Sequence, residues 1–383
     1  MPTEFSHPSE LPAELLGVSE ILAALGVDCG AAGELASYLA IPGNSGPRWL
    51  IPARSQACAA VLSSWRPYSF SGRAKWLAIR MAARAGVLHL SGSITRVAIS
   101  RAASLRWFER CAVDSRTGEM AILVGNPSPS RKLIVFLLDD AHRIAAVLKV
   151  GLTAAGGANV LHEAEVLGRL EGHSWAPQLL SVHTGLRAAS QEYVHGAHAN
   201  RGFRPDYLNL LCRLPRSGSS TNLANLADAM AKSLCPFKAE LDKIAPHLLN
   251  RALASLGLDI AVPTILVHGD FMPWNIRITP ESGCVLVDWE SADFAGLPGY
   301  DLFHFYFSDD RLFGSRKRGS PALRACSACK VYLRRMDLDA ELAPRLAIAY
   351  LLNRLEADLN QRGIEDAAYT LRQLAELVDS LGV

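Results

Sequence analysis

Three short apolar runs, each flanked by polar side chains at fixed spacing, constrain the fold of this chain more than any other feature. They cover residues 262–267, 275–279 and 284–288. Each has the length and apolar content of a strand, and a Pro-Glu-Ser-Gly segment of turn composition separates the second from the third. The last two runs therefore predict a hairpin that returns Asp288 close to Asn275.

The polar residues around these runs have the spacing of a phosphoryl-transfer site. Asp270 follows the first run, Asn275 comes five positions later, and Asp288 ends the third run. In such chemistry one carboxylate orients the attacking hydroxyl, whereas an amide and a second carboxylate hold the Mg²⁺ that neutralises the phosphates. Mg²⁺ favours a few protein oxygens together with phosphate and water. The spacing therefore predicts Asp270 as catalytic and Asn275 and Asp288 as metal ligands.

A lysine and an acidic helix upstream complete the predicted site. Lys149 lies at the end of an alternating run that predicts a strand, and residues 158–170 have the apolar face of a helix. A strand lysine followed by a helical glutamate is the arrangement that positions the α- and β-phosphates of a nucleotide. Glu163 and Glu165 are both candidates for that glutamate.

The loop 125–131, between two predicted strands, is the predicted phosphate loop. It contains no Gly-x-Gly-x-x-Gly pattern. Gly125 provides permissive backbone, Ser128 and Ser130 provide hydroxyl groups that bond phosphate, and Arg131 adds positive charge. A plain hairpin turn, rich in turn-forming residues, is the alternative interpretation.

The pattern His-Gly-Asp-x-x-x-x-Asn, followed by Val-Asp-Trp-Glu-x-Ala and later by Asp-Leu, resembles the aminoglycoside phosphotransferase and choline kinase family. The resemblance is strongest over residues 262–304 and weaker upstream. It implies an α+β, two-lobed protein-kinase-like fold with a small β-rich N-lobe and a mainly helical C-lobe. An extra N-terminal region precedes these lobes. The resemblance also implies ATP and Mg²⁺ as cofactors.

The same resemblance implies roles for single residues. Asp270 is the catalytic base, and Asn275 and Asp288 bind magnesium. His268 and Asp301 brace the catalytic loop. Glu stands at position 290, where protein kinases have the Gly of Asp-Phe-Gly, and this favours a small-molecule kinase over a protein kinase.

Two further assignments on the nucleotide side depend on the resemblance. The Glu-Ala dipeptide of the family matches Glu163-Ala164, which favours Glu163 over Glu165. The segment 191–196 resembles the strand and hinge whose backbone faces adenine, and it places Glu192 and Val194 at the nucleotide.

Periodicity along the chain predicts three regions. Residues 1–115 form an N-terminal extension of unknown role, residues 116–197 a nucleotide-binding N-lobe, and residues 198–383 a helical C-lobe with the catalytic and metal-binding loops. The helices predicted in the last region cover 222–235, 239–256, 322–336, 341–358 and 363–381.

Charge is unevenly distributed before residue 110. Residues 1–47 contain six acidic side chains and no Lys or Arg, whereas residues 48–110 contain eleven basic side chains and one acidic one. This segment is either a surface for an anionic partner or is covered by the acidic arm of the same chain. No base-reading motif accompanies the charge, so we expect no nucleic-acid partner.

Other features bound the location and the cysteine chemistry. The longest uninterrupted apolar run, residues 133–138, is far shorter than a membrane span, and the chain starts without the basic and apolar regions of a secretory signal. We therefore expect a cytoplasmic protein without a transmembrane segment. Cys326 and Cys329 form a lone Cys-x-x-Cys, which favours structural thiols over a metal or redox site.

Together these features predict an ATP- and Mg²⁺-dependent phosphotransferase that moves the γ-phosphate to a hydroxyl of a small molecule. Residues 198–383 contain 22 acidic and 21 basic side chains, so they lack the acidic excess that a polycationic acceptor favours. A sugar, an amino alcohol or a related metabolite is therefore the expected acceptor. The alternative, favoured by the unusual phosphate loop, is a non-catalytic kinase-like binding or assembly protein in cell-surface polysaccharide production.

Overall fold

The chain divides into two compact units, Met1–Gly196 and Ala197–Val383. The first contains a large antiparallel sheet, and the second is mainly helical. The predicted α+β fold with a β-rich amino-terminal part and a helical carboxy-terminal part is confirmed. The computed structural model describes residues 17–26, 35–43, 46–65, 67, 70–116, 118–314 and 319–382. Within these ranges, no helix combines the length and hydrophobicity that a membrane span requires.

The first unit is built around one sheet. Its strands are β1 (Leu35–Gly43), β2 (Gly46–Pro52), β3 (Thr95–Ser100), β4 (Met120–Val124), β5 (Lys132–Leu138), β6 (Ile144–Gly151), β7 (Leu179–His183) and β8 (Ala188–Glu192). Its α-helices are α1 (Val18–Ala24), α2 (Ser55–Ser63), α3 (Phe70–Arg84), α4 (Arg101–Arg110) and α5 (Ala154–Arg169). The strand order is β3-β1-β2-β4-β5-β6-β8-β7.

The segment 1–115, predicted as a separate extension, contributes β1, β2 and β3 to this sheet. Strand β2 pairs with β4 through Trp49 opposite Leu123 and Leu50 opposite Ile122. Successive side chains of a strand point to opposite faces of a sheet. Leu50 and Ile122 therefore belong to one apolar core, and Trp49 and Leu123 belong to a second core on the other face. Both cores combine residues from before and after position 115.

Helix α5 carries the acidic residue of the predicted phosphate site. The helix predicted from residue 158 begins earlier, at Ala154, because Thr153 caps it. The Thr153 side chain accepts a hydrogen bond from the Gly156 N–H, which satisfies one of the donors left over in a first helical turn. The buried face of α5 includes Glu163 and packs against β6 and β8.

The second unit is mainly helical with two small sheets. Its helices are α6 (Pro205–Leu211), α7 (Leu223–Leu234), α8 (Lys238–Ile244), α9 (Leu248–Leu256), α10 (Tyr300–Phe313), α11 (Pro321–Arg335), α12 (Ala343–Arg362) and α13 (Ile364–Ser380). Its strands are β9 (Ala197–His198), β10 (Arg216–Asn222), β11 (Ala261–Val267), β12 (Ile276–Thr279), β13 (Gly283–Leu286) and β14 (Asp293–Gly296). The sheets have the orders β10-β11-β14 and β13-β12-β9.

The segment predicted as one helix over residues 239–256 forms two helices, which corrects the prediction. Helix α8 ends at Ile244 and α9 begins at Leu248. Pro246 has no N–H to donate and disfavours helical backbone at the residue before it. His247 has a φ of 62°, in the left-handed region. The other predicted helices correspond to α7, α11, α12 and α13, with small differences at their ends.

Candidate active site

Lys149 and Glu163 form a buried ion pair in the first unit. The Lys149 Nζ lies 2.7 Å from Oε1 and 2.6 Å from Oε2 of Glu163. The two residues are only 6% and 2% exposed. Glu165, the other candidate glutamate, lies on the exposed side of α5. The geometry therefore joins the lysine to Glu163.

The predicted adenine hinge lies at the end of β8. Glu192 is the last residue of this strand and pairs with Ala146 of β6. Its N–H donates a hydrogen bond of 2.9 Å to the Gln178 carbonyl. Val194 follows two residues later and is half-buried. Contact of this segment with a nucleotide stays a prediction.

The loop 125–131 is fixed at its base. Arg131 Nε donates to the Gly125 carbonyl over 3.1 Å. A Cβ on Gly125 would lie 2.7 Å from a backbone oxygen of β5, so no larger residue fits there without a shift. The carbonyl of Ser128 accepts a hydrogen bond of 3.1 Å from the Arg131 N–H, and Ser130 is half-buried. The loop is thus a constrained turn that carries a buried arginine.

In the second unit, Asp301 holds the backbone of the predicted catalytic loop. Its Oδ2 accepts a hydrogen bond of 2.7 Å from the His268 N–H, and its Oδ1 accepts one of 2.9 Å from the Gly269 N–H. Asp301 is 3% exposed. Burial raises the pKa of its carboxyl group, and the two N–H donors oppose that rise. The first turn of α10 therefore anchors the chain just before Asp270.

The His268 ring connects the same loop to the segment after β13. Its Nδ1 accepts a hydrogen bond of 3.3 Å from the Asp270 N–H, so its Nε2 donates the bond of 3.1 Å to the Val287 carbonyl. The ring also packs on Trp289, with 4.6 Å between ring centroids. Because His268 is fully buried and both ring nitrogens are used, its geometry suits a bracing role.

The Asp270 carboxylate receives a hydrogen bond on each oxygen. Asn275 Nδ2 donates to Oδ2 over 2.8 Å, and His304 Nε2 lies 3.1 Å from Oδ1. The Tyr350 hydroxyl lies 3.3 Å from Nδ1 of the same imidazole. Burial is the largest single influence on the pKa of Asp270 and raises it, but the hydrogen bond from His304 and the electrostatic effects of His304 and His268 together outweigh burial and lower this pKa. Asp270 is therefore held as a carboxylate.

The predicted hairpin is present and brings the two candidate metal ligands together. Strands β12 and β13 pair with Ile276 opposite Leu286. The Val287 N–H donates to the Asn275 carbonyl over 2.9 Å. Asp288 follows with a φ of 70°, an uncommon backbone conformation for a residue with a side chain. The charge of Asp288 is close enough to raise the pKa of Asp270, in opposition to the groups that lower it.

His304 and Tyr350 belong to this arrangement, although the sequence reasoning did not include them. His304 lies three residues after Asp301 on α10, so both side chains project from one face of the helix. That spacing was a usable signal, because Asp301 was already assigned to the loop. Tyr350 comes from α12, and no local pattern connects it to the catalytic loop.

The Cys-x-x-Cys pair lies on α11. Cys326 and Cys329 are both buried. Burial raises the pKa of Cys326 to about 12 and raises that of Cys329 as well. Such thiols stay protonated and are poor metal ligands and nucleophiles.

Comparison with known proteins gives one family match. A model of a phosphotransferase enzyme family, APH, matches residues 133–338. This segment includes Lys149, Glu163, Asp270 and the hairpin, and it begins after the loop 125–131. None of the curated proteins compared with the chain matches it.

Several solved structures are similar to this chain. A thermostable mutant of aminoglycoside phosphotransferase APH(4)-Ia, in a ternary complex with AMP-PNP and hygromycin B, is 14% identical over 73% of this chain and 98% of its own, with a TM-score of 0.48. A putative aminoglycoside phosphotransferase from Ralstonia eutropha JMP134 is 12% identical over 73% and 98%, with a TM-score of 0.47. Macrolide 2'-phosphotransferase MphH from Brachybacterium faecium is 17% identical over 72% and 97%, with a TM-score of 0.46.

Proposed function

This chain belongs to the phosphotransferase enzyme family, and from that premise we propose that it transfers the γ-phosphate of ATP to a hydroxyl group of a small molecule. The acceptor we propose is a sugar, an amino alcohol or a related metabolite. The near balance of 22 acidic and 21 basic side chains in residues 198–383 supports acceptors of low charge over polycations.

The observation that supports this proposal best is the state of Asp270. Its two oxygens accept hydrogen bonds from Asn275 and His304, and its pKa is lowered. A carboxylate kept ionised in this way accepts a hydrogen bond from an acceptor hydroxyl and orients the oxygen for attack. As the new bond to phosphorus forms, the bond from the γ-phosphorus to the β–γ bridging oxygen breaks and ADP leaves, while Asp270 takes the hydroxyl proton.

The residues around Asp270 fit a magnesium ion by the chemistry of their donors. Asn275 uses its Nδ2 for both the backbone and the side chain of Asp270, so its Oδ1 faces the opposite way. The hairpin bonds the residue before Asp288 to the Asn275 backbone, because the Val287 N–H donates to the Asn275 carbonyl. One amide and one carboxylate oxygen suit Mg²⁺, which completes its shell with phosphate and water. When bound, Mg²⁺ would neutralise the phosphates.

The ion pair in the first unit supports the nucleotide side of the proposal. Glu163 fixes the ammonium group of Lys149, because the buried pair has little freedom to rearrange. A strand lysine held by a helical glutamate is the arrangement that positions the phosphates of a nucleotide. We propose that the backbone at Glu192 and Val194 faces the adenine, and that Gly125, Ser128 and Ser130 line the phosphate side.

Thermal unfolding with and without MgATP tests nucleotide binding. We expect millimolar MgATP to raise the Tm of the wild type and to have little effect on Asp288→Asn, because that variant loses the charge of one metal ligand. Asp228→Asn on the exposed side of α7 is the matched control and should keep the wild-type shift. A wild type that does not respond to MgATP would favour the non-catalytic binding or assembly protein.

Turnover tests the catalytic role. A panel of hydroxyl-bearing metabolites is screened for acceptor-dependent ADP release, and Asp270→Asn is then compared with the wild type on the active acceptor. We expect a loss of about 10²–10⁴-fold in kcat, because the base is removed, while the Tm shift with MgATP persists. Retained turnover would refute the assignment of Asp270.

A further inference from the structure

Helix α3 presents two large apolar side chains to solvent, directed away from its buried face. The buried face contains Trp76 and Ala83, which belong to the core that also contains Trp49. Leu77 and Met81 are instead 58% and 57% exposed. Residues four apart lie on one side of a helix, so Leu77 and Met81 form an apolar ridge along α3.

The exposed apolar surface continues past the end of α3. Val87 and Leu90 are both exposed, although Leu88 between them is buried in the same core as Trp76 and fixes this turn to the first unit. Single exposed apolar side chains are common on protein surfaces. A group of four within residues 77–90 is instead typical of a surface that another molecule covers.

Basic side chains border the apolar ridge on both sides. Helix α3 has no acidic residue, and its basic residues are Arg73, Lys75, Arg80 and Arg84. Successive residues of a helix are rotated by about 100°. Arg73, Arg80 and Arg84 therefore lie along one side of the ridge, and Lys75 lies on the other side. The helix thus combines an apolar strip with positive charge at its two borders.

The contacts of two of these arginines leave their charge in place. Arg73 Nε donates a hydrogen bond of 3.1 Å to the Pro67 carbonyl, and Arg80 Nη2 donates one of 3.1 Å to the Ser63 hydroxyl. Both acceptors are neutral oxygens. These bonds orient the guanidinium groups without neutralising them, so the surface of α3 attracts anions.

The dimensions of α3 suit a helix that lies along a bilayer. Its 15 residues span about 22 Å, which is less than the hydrocarbon thickness of about 30 Å, and they include four charges. A helix of this kind lies in the interface, where its apolar side chains reach the acyl boundary. Lys and Arg side chains at its borders extend to the headgroups.

We propose that α3 and the turn that follows it bind the surface of a membrane that contains anionic lipids, with Leu77 and Met81 inserted below the headgroups. A soluble polyanion would pair with the basic residues but would leave the apolar ridge in water. A second copy of this chain would bring two basic segments together, which charge repulsion opposes. Helix α3 precedes residues 133–338, the segment matched by the family, so the inference goes beyond phosphoryl transfer.

Co-sedimentation of the full chain with lipid vesicles tests the proposal. We expect binding to vesicles of phosphatidylglycerol and phosphatidylcholine to be at least about fivefold stronger than binding to phosphatidylcholine alone, and to weaken as NaCl is added. Absence of binding to the anionic vesicles would overturn the proposal. That result is expected if the acidic residues 1–47 of the same chain cover α3.

The double variant Leu77→Gln/Met81→Gln tests insertion of the apolar ridge. We expect about tenfold or greater loss of affinity for the anionic vesicles, because two apolar side chains no longer leave water. Leu312→Gln on α10 is the matched control, since Leu312 is also 58% exposed, and it should bind like the wild type. Equal losses in the two proteins would overturn the proposal.

Arg84→Gln covers the case in which the double variant does not fold. Arg84 is exposed, so the circular dichroism spectrum should stay unchanged. We expect about fivefold weaker binding to the anionic vesicles, because one charge near the lipid surface is removed. Arg372→Gln, an exposed arginine on α13, is the control and should bind like the wild type. Unaltered binding in Arg84→Gln would contradict the proposed surface.

Heparin, a soluble sulfated polysaccharide, distinguishes a polyanion from a lipid surface. We expect Leu77→Gln/Met81→Gln to bind heparin like the wild type while it loses affinity for vesicles. Vesicle binding retained to the same extent as heparin binding would show that charge alone acts, and would overturn the proposal.

These measurements contain no nucleotide, so they are separate from the test of the proposed function. A wild type that binds anionic vesicles but does not respond to MgATP would refute the proposed function alone. A wild type that responds to MgATP but does not bind the vesicles would overturn this inference alone.

Discussion

Lys149 and Asp270, the two charged residues at the centre of the proposed reaction, are held in different ways. Lys149 forms a buried ion pair with Glu163, and the two residues are 6% and 2% exposed respectively, so each charge neutralises the other away from water. Asp270 is held by hydrogen bonds from Asn275 and His304. Loss of Glu163 would leave the buried charge of Lys149 uncompensated. Loss of His304 would instead change the pKa of Asp270. The first site should therefore respond in stability and the second in pH dependence.

Removal of one charge from the buried pair of Lys149 and Glu163 should have the largest effect on stability. Glu163→Gln leaves the Lys149 ammonium buried without its counter-ion, and we expect the free energy of unfolding to fall by about 3–5 kcal/mol. Urea denaturation measures this change. The control is Glu341→Gln, which breaks the exposed pair with Lys330 and should cost at most about 1 kcal/mol. Equal losses of unfolding free energy in the two variants would contradict the distinction between the buried and the exposed ion pair.

Substitution of Gly269, in the catalytic loop, should have the next largest effect on stability. Gly269 has a φ of 80°, and a Cβ there would collide with the Ser291 carbonyl oxygen. We expect Gly269→Ala to cost about 1–3 kcal/mol and to displace Asp270 enough to lower kcat. Gly283→Ala is a matched control, because its φ is 73° and nothing lies within 4 Å of the new Cβ. A smaller cost at Gly269 than at Gly283 would show that the loop adapts.

Loss of His304 should appear mainly in the pH profile. His304→Phe removes the hydrogen bond that lowers the pKa of Asp270, so this pKa should rise. The acidic limb of kcat then moves to higher pH, while turnover at alkaline pH changes little. Asp270 contributes stability above its unfolded pKa that is lost as pH falls through the folded pKa. Acid unfolding of the variant should therefore begin at higher pH, and an unchanged acidic limb would argue against His304.

Tyr350→Phe should have the smallest effect. It removes the hydroxyl next to His304 Nδ1 and keeps the ring that stacks on Phe307. We expect a loss of about 0.5–1.5 kcal/mol in stability, typical of one hydrogen bond. The acidic limb should shift in the same direction as in His304→Phe, but by less. A larger shift than in that variant would mean that Tyr350 acts on Asp270 by another route.

The parts of this protein that sequence reasoning predicted are those whose residues are close in the chain. The hairpin over β12 and β13 has alternating apolar strands and a short turn, so its register returns Asp288 to Asn275 without information from elsewhere. The helix that carries Glu163 has a clear apolar face. The family and the α+β fold were implied by the resemblance that the motifs in this part of the chain carry, and both are confirmed.

The parts that were missed depend on pairing between distant segments. Nothing local indicates that Trp49 lies opposite Leu123, because strand partners are chosen by the fit of whole faces. Tyr350 reaches His304 from another helix for the same reason. The break between α8 and α9 is different, because Pro246 is visible in the sequence, whereas helical periodicity alone does not reveal the break.

The junction between β2 and β4 has a practical consequence for shortening this protein. A chain cut to begin at residue 116 would leave β4 with bare N–H and C=O groups along one side. It would also uncover Ile122 and Leu123, whose partners Leu50 and Trp49 would be missing. An exposed edge strand of this kind can pair with a strand of another molecule, so the truncated protein should aggregate or accumulate in inclusion bodies. We therefore expect that a chain beginning at residue 116 does not fold as a self-sufficient module.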